Sequence, residues 1–200
     1  MAAKRKSDLL VTAFELVADS GWTGMSLVAL ADRAGKPLVD VYRELPDRGA
    51  VLRALSERTD QAMLGIDRRE LEGLPARDAI FELMMRRFEA LGPFRAGLAR
   101  LEQDGRRDPA ALLMIFCRLD RSIRWMQDLA GMRSQGLRPR FQRRALLAVY
   151  LQVLRTWLAD DSADLAKTMA RLDSLLRQAE RFAGLGGSPT PSGGEAPEPA

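Results

Sequence analysis

The chain has 200 residues, 46% of them apolar and 29% charged, with a formal net charge of +4. That is enough apolar material for one sizeable domain, or for a small head on a larger helical body. There is no histidine and a single cysteine, Cys117, which excludes a Cys/His zinc site and a disulfide framework and removes the commonest general base.

Beta-branched residues are few, while Ala, Leu, Arg and Glu dominate, so the fold expected is all-α. Residues 1–6, with Lys4, Arg5 and Lys6, read as a disordered basic arm. No apolar h-region follows that start, so no signal peptide is expected. No apolar run approaches the roughly 20 residues needed to span a bilayer. With no disulfide framework, these features place the protein in the cytoplasm. Cys117 lies in an apolar helical run and reads as a buried thiol.

The first helix starts at Ser7 or Asp8, carries Leu9, Leu10, Ala13, Phe14 and Val17 on one face, and ends at Gly21. Trp22 and Met25 follow in a turn and plug the core of the head. Ser26 is a good N-cap for a second helix through Leu27, Leu30, Ala31 and Ala34. Gly35 supplies the left-handed residue that ends it. Pro37 opens a third helix with Leu38, Val41, Tyr42 and Leu45, and Pro46 closes it. Asp47 caps a fourth helix that runs to about Leu64. Two short helices joined by a tight Gly-containing turn make a helix-turn-helix.

The body follows. Leu74-Pro75 opens the fifth helix, with Ile80, Phe81, Met84, Met85, Phe88 and Leu91 inside, and Gly92-Pro93 breaks it. The sixth runs from Phe94 to about Gln103. Asp108-Pro109 caps the seventh, which carries Leu112, Ile115, Phe116, Leu119, Ile123, Met126 and Leu129. The eighth spans about Pro139 to Ala159, with Val149, Val153 and Trp157. In the ninth, Leu165, Met169, Leu172, Leu176, Ala179 and Phe182 are spaced close to a heptad seam. The boundaries drawn are an arm at 1–6, a head at 7–52, a body at 53–185 and a disordered tail at 186–200.

Over residues 8–55 the order and spacing of these elements resembles the N-terminal domain of TetR-family transcriptional regulators. The matching places are Ala13, Gly21, Ser26, Ala34-Gly35, Tyr42 and Arg48. About nine helices, three of them in the head, fit the same plan. The resemblance implies a DNA-binding regulator, most often a repressor, that pairs as a homodimer on a twofold-symmetric operator. It needs no cofactor and is not an enzyme. In that reading Ser26 and the N–H groups at its helix start hold a phosphate. Tyr42 and Arg48 match the phosphate-contacting positions. Lys36, Leu38, Val39, Asp40 and Arg43 face the major groove. The alternative is that Tyr42 packs inside the head and Arg48 is a solvated cation. Where the family usually has a capping Ser or Thr, this chain has Lys36-Pro37, and Asp40 and Glu44 bring negative charge to the recognition helix.

The same resemblance implies a small-ligand cavity in the body. Phe81, Met84, Met85, Phe88, Phe116, Trp125 and Met126 suit an apolar or amphiphilic ligand, or else form a filled core. It also implies a dimer interface on the last two helices, through Val149, Val153, Trp157, Leu165, Met169, Leu172 and Leu176, unless those side chains serve the subunit's own core.

Charge is unevenly distributed. Residues 1–60 hold nine Lys/Arg and nine Asp/Glu, so the head is neutral and the excess lies in the body. The stretch WLADDSADLAKTMARLDSLLRQ resembles lipid-binding accessory proteins of ubiquinone biosynthesis, which have a TetR-like fold without being regulators. That second resemblance implies a lipid or isoprenoid carrier that does not bind DNA. Arg133, Arg138, Arg140, Arg143 and Arg144 form a basic run that can meet anionic lipid, or is a solvated loop and helix start.

Overall fold

The computed structural model describes residues 8–104, 108–132 and 137–183, and every regular element among them is helical. The basic arm, the tail and Arg133 lie outside the described residues. The order is α1 Leu9–Ser20, α2 Leu27–Ala34, α3 Leu38–Glu44, α4 Arg48–Leu64, α5 Arg68–Leu71, α6 Ala76–Leu91, a 3-10 turn Gly92–Phe94, α7 Arg95–Asp104, α8 Pro109–Leu129, α9 Leu137–Ala159 and α10 Ala166–Ala183. The additional single turn, α5, is built by a capping box between Asp67 and Glu70. Gly92 keeps helical dihedrals, so the chain passes from α6 to α7 through the 3-10 turn without a break.

Side-chain caps start the helices where the sequence places them. Asp8 accepts from the Leu10 N–H, Ser26 from Ala29, Asp47 from Ala50 and Asp108 from Ala111. Each satisfies an N–H that has no partner within its own helix.

Head and body share one core. Helix α1 lies against α7, where Phe14 meets Phe94 edge-on at a centroid distance of 5.3 Å. A Cβ on Gly97 would stand 2.4 Å from the Phe14 carbonyl oxygen, so only glycine lets the two backbones approach so closely. Helix α4 runs unbroken across residues 52 and 53, the boundary expected between head and body.

Two expectations are corrected. Cys117 is exposed. The buried face of α8 is centred on Leu119, Ile123 and Met126, and two residues along a helix turn the side chain through about 200°. The residues expected to join two subunits are internal. Val149, Val153, Trp157, Leu172 and Leu176 are buried within one protomer, and Leu165 and Met169 are partly buried against the same core. The heptad-like seam of α10 lies against α9 of its own chain.

The turn between α9 and α10 explains much of the WLADDSADLAKT motif. Asp160 is buried. Its carboxylate accepts from the Ser162 N–H at 3.1 Å, the Thr168 N–H at 2.8 Å and the Thr168 hydroxyl at 2.6 Å, and also from the Ser162 hydroxyl. Arg95 donates to the Trp157 and Asp160 carbonyls and lies over the Trp157 ring at 5.1 Å. Leu165 takes a left-handed conformation (φ 57°) just before α10. Burial pushes the Asp160 carboxyl up, but the hydrogen bonds from Ser162 and Thr168 outweigh it and hold the group well below the usual carboxylate range.

An amide at position 160 cannot accept all four of these bonds. Asp160→Asn should therefore cost about 2–4 kcal/mol, read by chemical denaturation. The depressed pKa adds a pH signature. The unfolded chain holds the proton more tightly, so the Asp160 contribution is complete above about pH 4 and is lost as pH falls below it. The gap between wild type and Asp160→Asn should narrow in that acid window. Leu176→Arg should unfold the protomer, seen as lost helical circular dichroism, rather than release folded monomers in sedimentation.

Candidate nucleic-acid interface and ligand cavity

The helix-turn-helix forms because each local signal agrees. Gly35 takes φ 62°, which only glycine adopts without strain, and turns the chain from α2 toward α3. Leu30, Ala31, Val41 and Leu45 are buried between the helices. What remains outside is the face assigned to DNA. Leu38 is 48% exposed, Val39 53% and Tyr42 60%, so Tyr42 is not part of the head's core. Asp40, Arg43 and Glu44 share this exposed helix.

The cations of this face are matched by acids. Arg43 lies 3.5 Å from Asp40, Lys36 lies 3.7 Å from Glu44, and Arg33 on α2 pairs with Asp19. Exposed pairs of this kind contribute little to stability, about 0–1 kcal/mol, so a phosphate can compete for any of the three cations.

Ser26 and Arg48 line one shallow depression between the starts of α2 and α4. The starts of two helices border it, which favours an anion, while the Asp47 carboxylate that caps α4 lines it too and opposes one. Arg48 is also tied to the head. Its guanidinium lies 5.9 Å from the Trp22 ring and donates to the Trp22 carbonyl at 3.4 Å. Trp22 in turn reaches the body. Its N–H donates to Asp104 at 3.0 Å and its indole N–H to Asp108 at 2.9 Å. The Ala111 N–H and the Trp22 indole hold the Asp108 carboxyl below its usual range. The residues at the end of α7 and the start of α8 are thus bonded directly to the turn that precedes the helix-turn-helix.

The body contains an apolar cavity of about 70 Å³ among α4, α6, α7, α8 and α9. Leu55, Leu91, Leu98, Ile115 and Leu154 form its walls, while Thr59, Arg87 and Tyr150 give it a polar side. Leu151 lines it and is also exposed, so the cavity reaches the surface there. None of the seven side chains expected to line a cavity lines this one. Met84, Met85, Phe88 and Met126 are buried in the filled core, and Phe88 stacks on Tyr150 at 4.8 Å. Phe81 lines a shallow depression between α6 and α10, Trp125 lies under the Arg121 guanidinium at 5.0 Å, and Phe116 is exposed.

Behind the polar side lies a buried network. Arg87 donates to Asp60 and, through Nε, to the Tyr150 hydroxyl at 3.2 Å. Ser122 donates to Asp60 Oδ1 at 2.6 Å, while Asp60 Oδ2 has no hydrogen-bond partner and faces Arg121 at 4.0 Å. Burial pushes the Tyr150 hydroxyl up, although the Arg87 charge opposes it. Local sequence patterning does not reveal this network as a whole. One signal was available: Arg87 follows Leu83 by four residues and precedes Leu91 by four, which places a charge on the buried stripe of α6.

No family model and no curated protein sequence matches the chain. Solved structures do. A TetR transcriptional regulator from Nitrosomonas europaea ATCC 19718 superposes with a TM-score of 0.69 over 88% of this chain and 98% of its own, at 23% identity. This is the TetR fold. A TetR transcriptional regulator from Rhodococcus sp. RHA1 matches with a TM-score of 0.57 at 18% identity, covering 86% and 92% of the two chains. The regulator FadR from Bacillus subtilis, solved in complex with stearoyl-CoA, matches with a TM-score of 0.55 at 16% identity, covering 86% and 95%. Among the described residues of the TetR-fold chain, no helix is long and apolar enough to cross a membrane.

Removing one partner of the buried pair leaves the other charge without compensation. Arg87→Met should therefore cost about 3–5 kcal/mol in denaturant unfolding. Combining it with Asp60→Leu should recover most of that loss, because the uncompensated carboxylate is gone.

Proposed function

We propose that the protein is a DNA-binding transcriptional regulator of the TetR type, acting as a repressor and responding to an apolar or amphiphilic small ligand. The observation that carries this reading is the exposed outer face of α3 in a helix-turn-helix whose first helix is capped by Ser26. Leu38 and Val39 suit thymine methyl groups, and Asp40 can accept from cytosine N4 in the major groove. Ser26, Tyr42 and Arg48 supply phosphate contacts around that face. Two heads read a twofold-symmetric operator. The ligand enters the body cavity and moves α7 and α8, and the bonds from Trp22 to Asp104 and Asp108 pass that movement to the head. A ligand bound by a single conformation shifts the equilibrium only by its differential affinity. The 70 Å³ cavity is far smaller than the roughly 300 Å³ or more of ordinary ligand sites, so ligand binding must open it.

A second reading is favoured by the matched charges of the head: an amphiphile carrier on the same fold that does not bind DNA. Arg33, Lys36 and Arg43 each stand beside an acid, so little positive potential remains for phosphate.

The two readings separate in one experiment, footprinting and affinity measurement on DNA upstream of the protein's own gene at several salt concentrations. The regulator reading expects a symmetric footprint, a salt slope set by few phosphate contacts, and weaker binding to every sequence on Tyr42→Ala. Asp40→Asn should raise non-specific affinity by removing repulsion. Absence of any specific footprint would leave the carrier reading.

A further inference from the structure

We propose that the seam between α4 and α8 is a binding site for a phosphate group, held by Arg53, Arg118 and Arg121. The proposal goes beyond the reading above and rests neither on DNA binding nor on a ligand in the cavity.

The two helices lie side by side and run in the same direction. Near their starts, a Cβ on Gly49 would stand 3.1 Å from the Met114 methyl. Farther along, Ser122 donates to Asp60 at 2.6 Å. Between these two contacts α4 carries Arg53 and Glu57, at four-residue steps from Gly49, and α8 carries Arg118 and Arg121, four and seven residues after Met114. Residues so spaced share one face of a helix. The four charges therefore lie along one seam, and the Arg118 cation feels the other three.

The cations there are short of partners. Among the described residues neither Arg53 nor Arg118 makes an ion pair. The Nε of Arg118 is buried and has no hydrogen-bond partner, and an unmet buried donor is costly, more so on a charged group. Burial lowers the Arg118 guanidinium from its ordinary value, and the charges of Arg121 and Arg53 lower it further, against the opposing pull of Glu57 and Asp60. Arg121 lies over the Trp125 ring at 5.0 Å and stands 4.0 Å from Asp60 Oδ2. Asp60 is already engaged through Oδ1 by Arg87 and Ser122. Four guanidinium groups, those of Arg53, Arg87, Arg118 and Arg121, thus meet two carboxylates, and two positive charges are left over.

These observations select the occupant. The unmet donor lies within the seam, so its acceptor must be small enough to enter between two helices. A duplex backbone meets protruding side chains such as Arg53 and does not reach the buried Nε. A tetrahedral oxyanion presents several acceptor oxygens and can take charge-assisted bonds from three guanidinium groups at once. A phosphate monoester carries about −1.5 to −2 at neutral pH, which matches the excess. Occupancy ties α4 to α8, whose inner residues Leu52, Ser56, Ile115 and Leu119 wall the cavity.

The full chain is titrated with inorganic phosphate, with pyrophosphate, and with chloride at matched ionic strength. Thermal unfolding should shift upward and saturate with the phosphates but not with chloride, since a ligand that binds only the folded state stabilises it. A stronger response to pyrophosphate points to a polyphosphate ligand, and one no stronger points to a single phosphate group; both support the site. Arg53→Gln and Arg118→Met should each weaken phosphate binding, read by calorimetry, about tenfold or more. Arg53 is exposed, so its variant should fold as wild type does. Without phosphate, Arg118→Met should be at least as stable as wild type, because it removes a charge and an unmet donor while keeping an apolar stem. A purely structural arginine would behave in the opposite way. The proposal is overturned if phosphate does no more than chloride, if both variants respond as wild type does, or if Arg118→Met loses stability in phosphate-free buffer. It is also overturned if the variants lose DNA affinity while their phosphate response is unchanged. A footprint, or its absence, leaves this result untouched.

Discussion

Direct backbone contact between α1 and α7 is the constraint on which the rest of the molecule depends. Gly97 permits it, and Phe14 and Phe94 fill the space beside it. Because the two helices touch, the head cannot behave as an independent three-helix module. Its core continues into the body through α1, α4 and α7, and the Trp22 turn is held by Asp104 and Asp108. A protein interior packed at crystal-like density transmits displacement instead of absorbing it. This arrangement gives the body a mechanical hold on the recognition helix.

A second constraint is the buried network of Asp60, Arg87, Ser122 and Tyr150. Ions removed from water are costly unless their hydrogen-bonding capacity is filled. Here three elements contribute to one cluster: Asp60 from α4, Arg87 from α6 and Ser122 from α8. Tyr150 brings in α9 and stacks on Phe88. Such a network fixes the register of four helices around the cavity more sharply than apolar packing, which tolerates sliding. Asp160 does the same for α9 and α10. Its hydrogen bonds join the last turn of one helix to the first turn of the next, and Arg95 ties that turn to α7.

The outside of the molecule divides into two unlike faces. The recognition helix shows apolar groups with paired, cancelling charges. On α9, Arg143 pairs with Asp120 and Arg155 with Glu102, while Arg140 and Arg144 are exposed beside Phe141. Long-range attraction to an anionic polymer follows net charge, and the excess of Lys and Arg over Asp and Glu lies in the body. On the proposed regulator reading the neutral head reads DNA through base edges, which are recognised by short-range contact. Its phosphate contacts must then come from few positions.

The sequence alone determined most of the helices and their ends, because caps and breakers act over four residues or fewer, but not the single turn α5 or the passage through Gly92. Asp8, Ser26, Asp47 and Asp108 were legible as caps, and Gly35 as the left-handed turn residue. The order of helices and the helix-turn-helix were legible for the same reason. Periodicity also showed that α9 and α10 had apolar faces, but not what would cover them. Only the tertiary structure decided that, by packing Leu172 and Leu176 against the subunit's own α9 and by leaving Cys117 and Phe116 outside. It likewise moved the cavity away from the Met- and Phe-rich stretch of α6, whose side chains fill the core, to a gap that includes Arg87 and Tyr150. A helical stripe specifies a direction around one axis. Which neighbour lies in that direction depends on contacts between residues far apart in the chain, such as Asp60 with Arg87 and Trp22 with Asp108, and no local pattern encodes them.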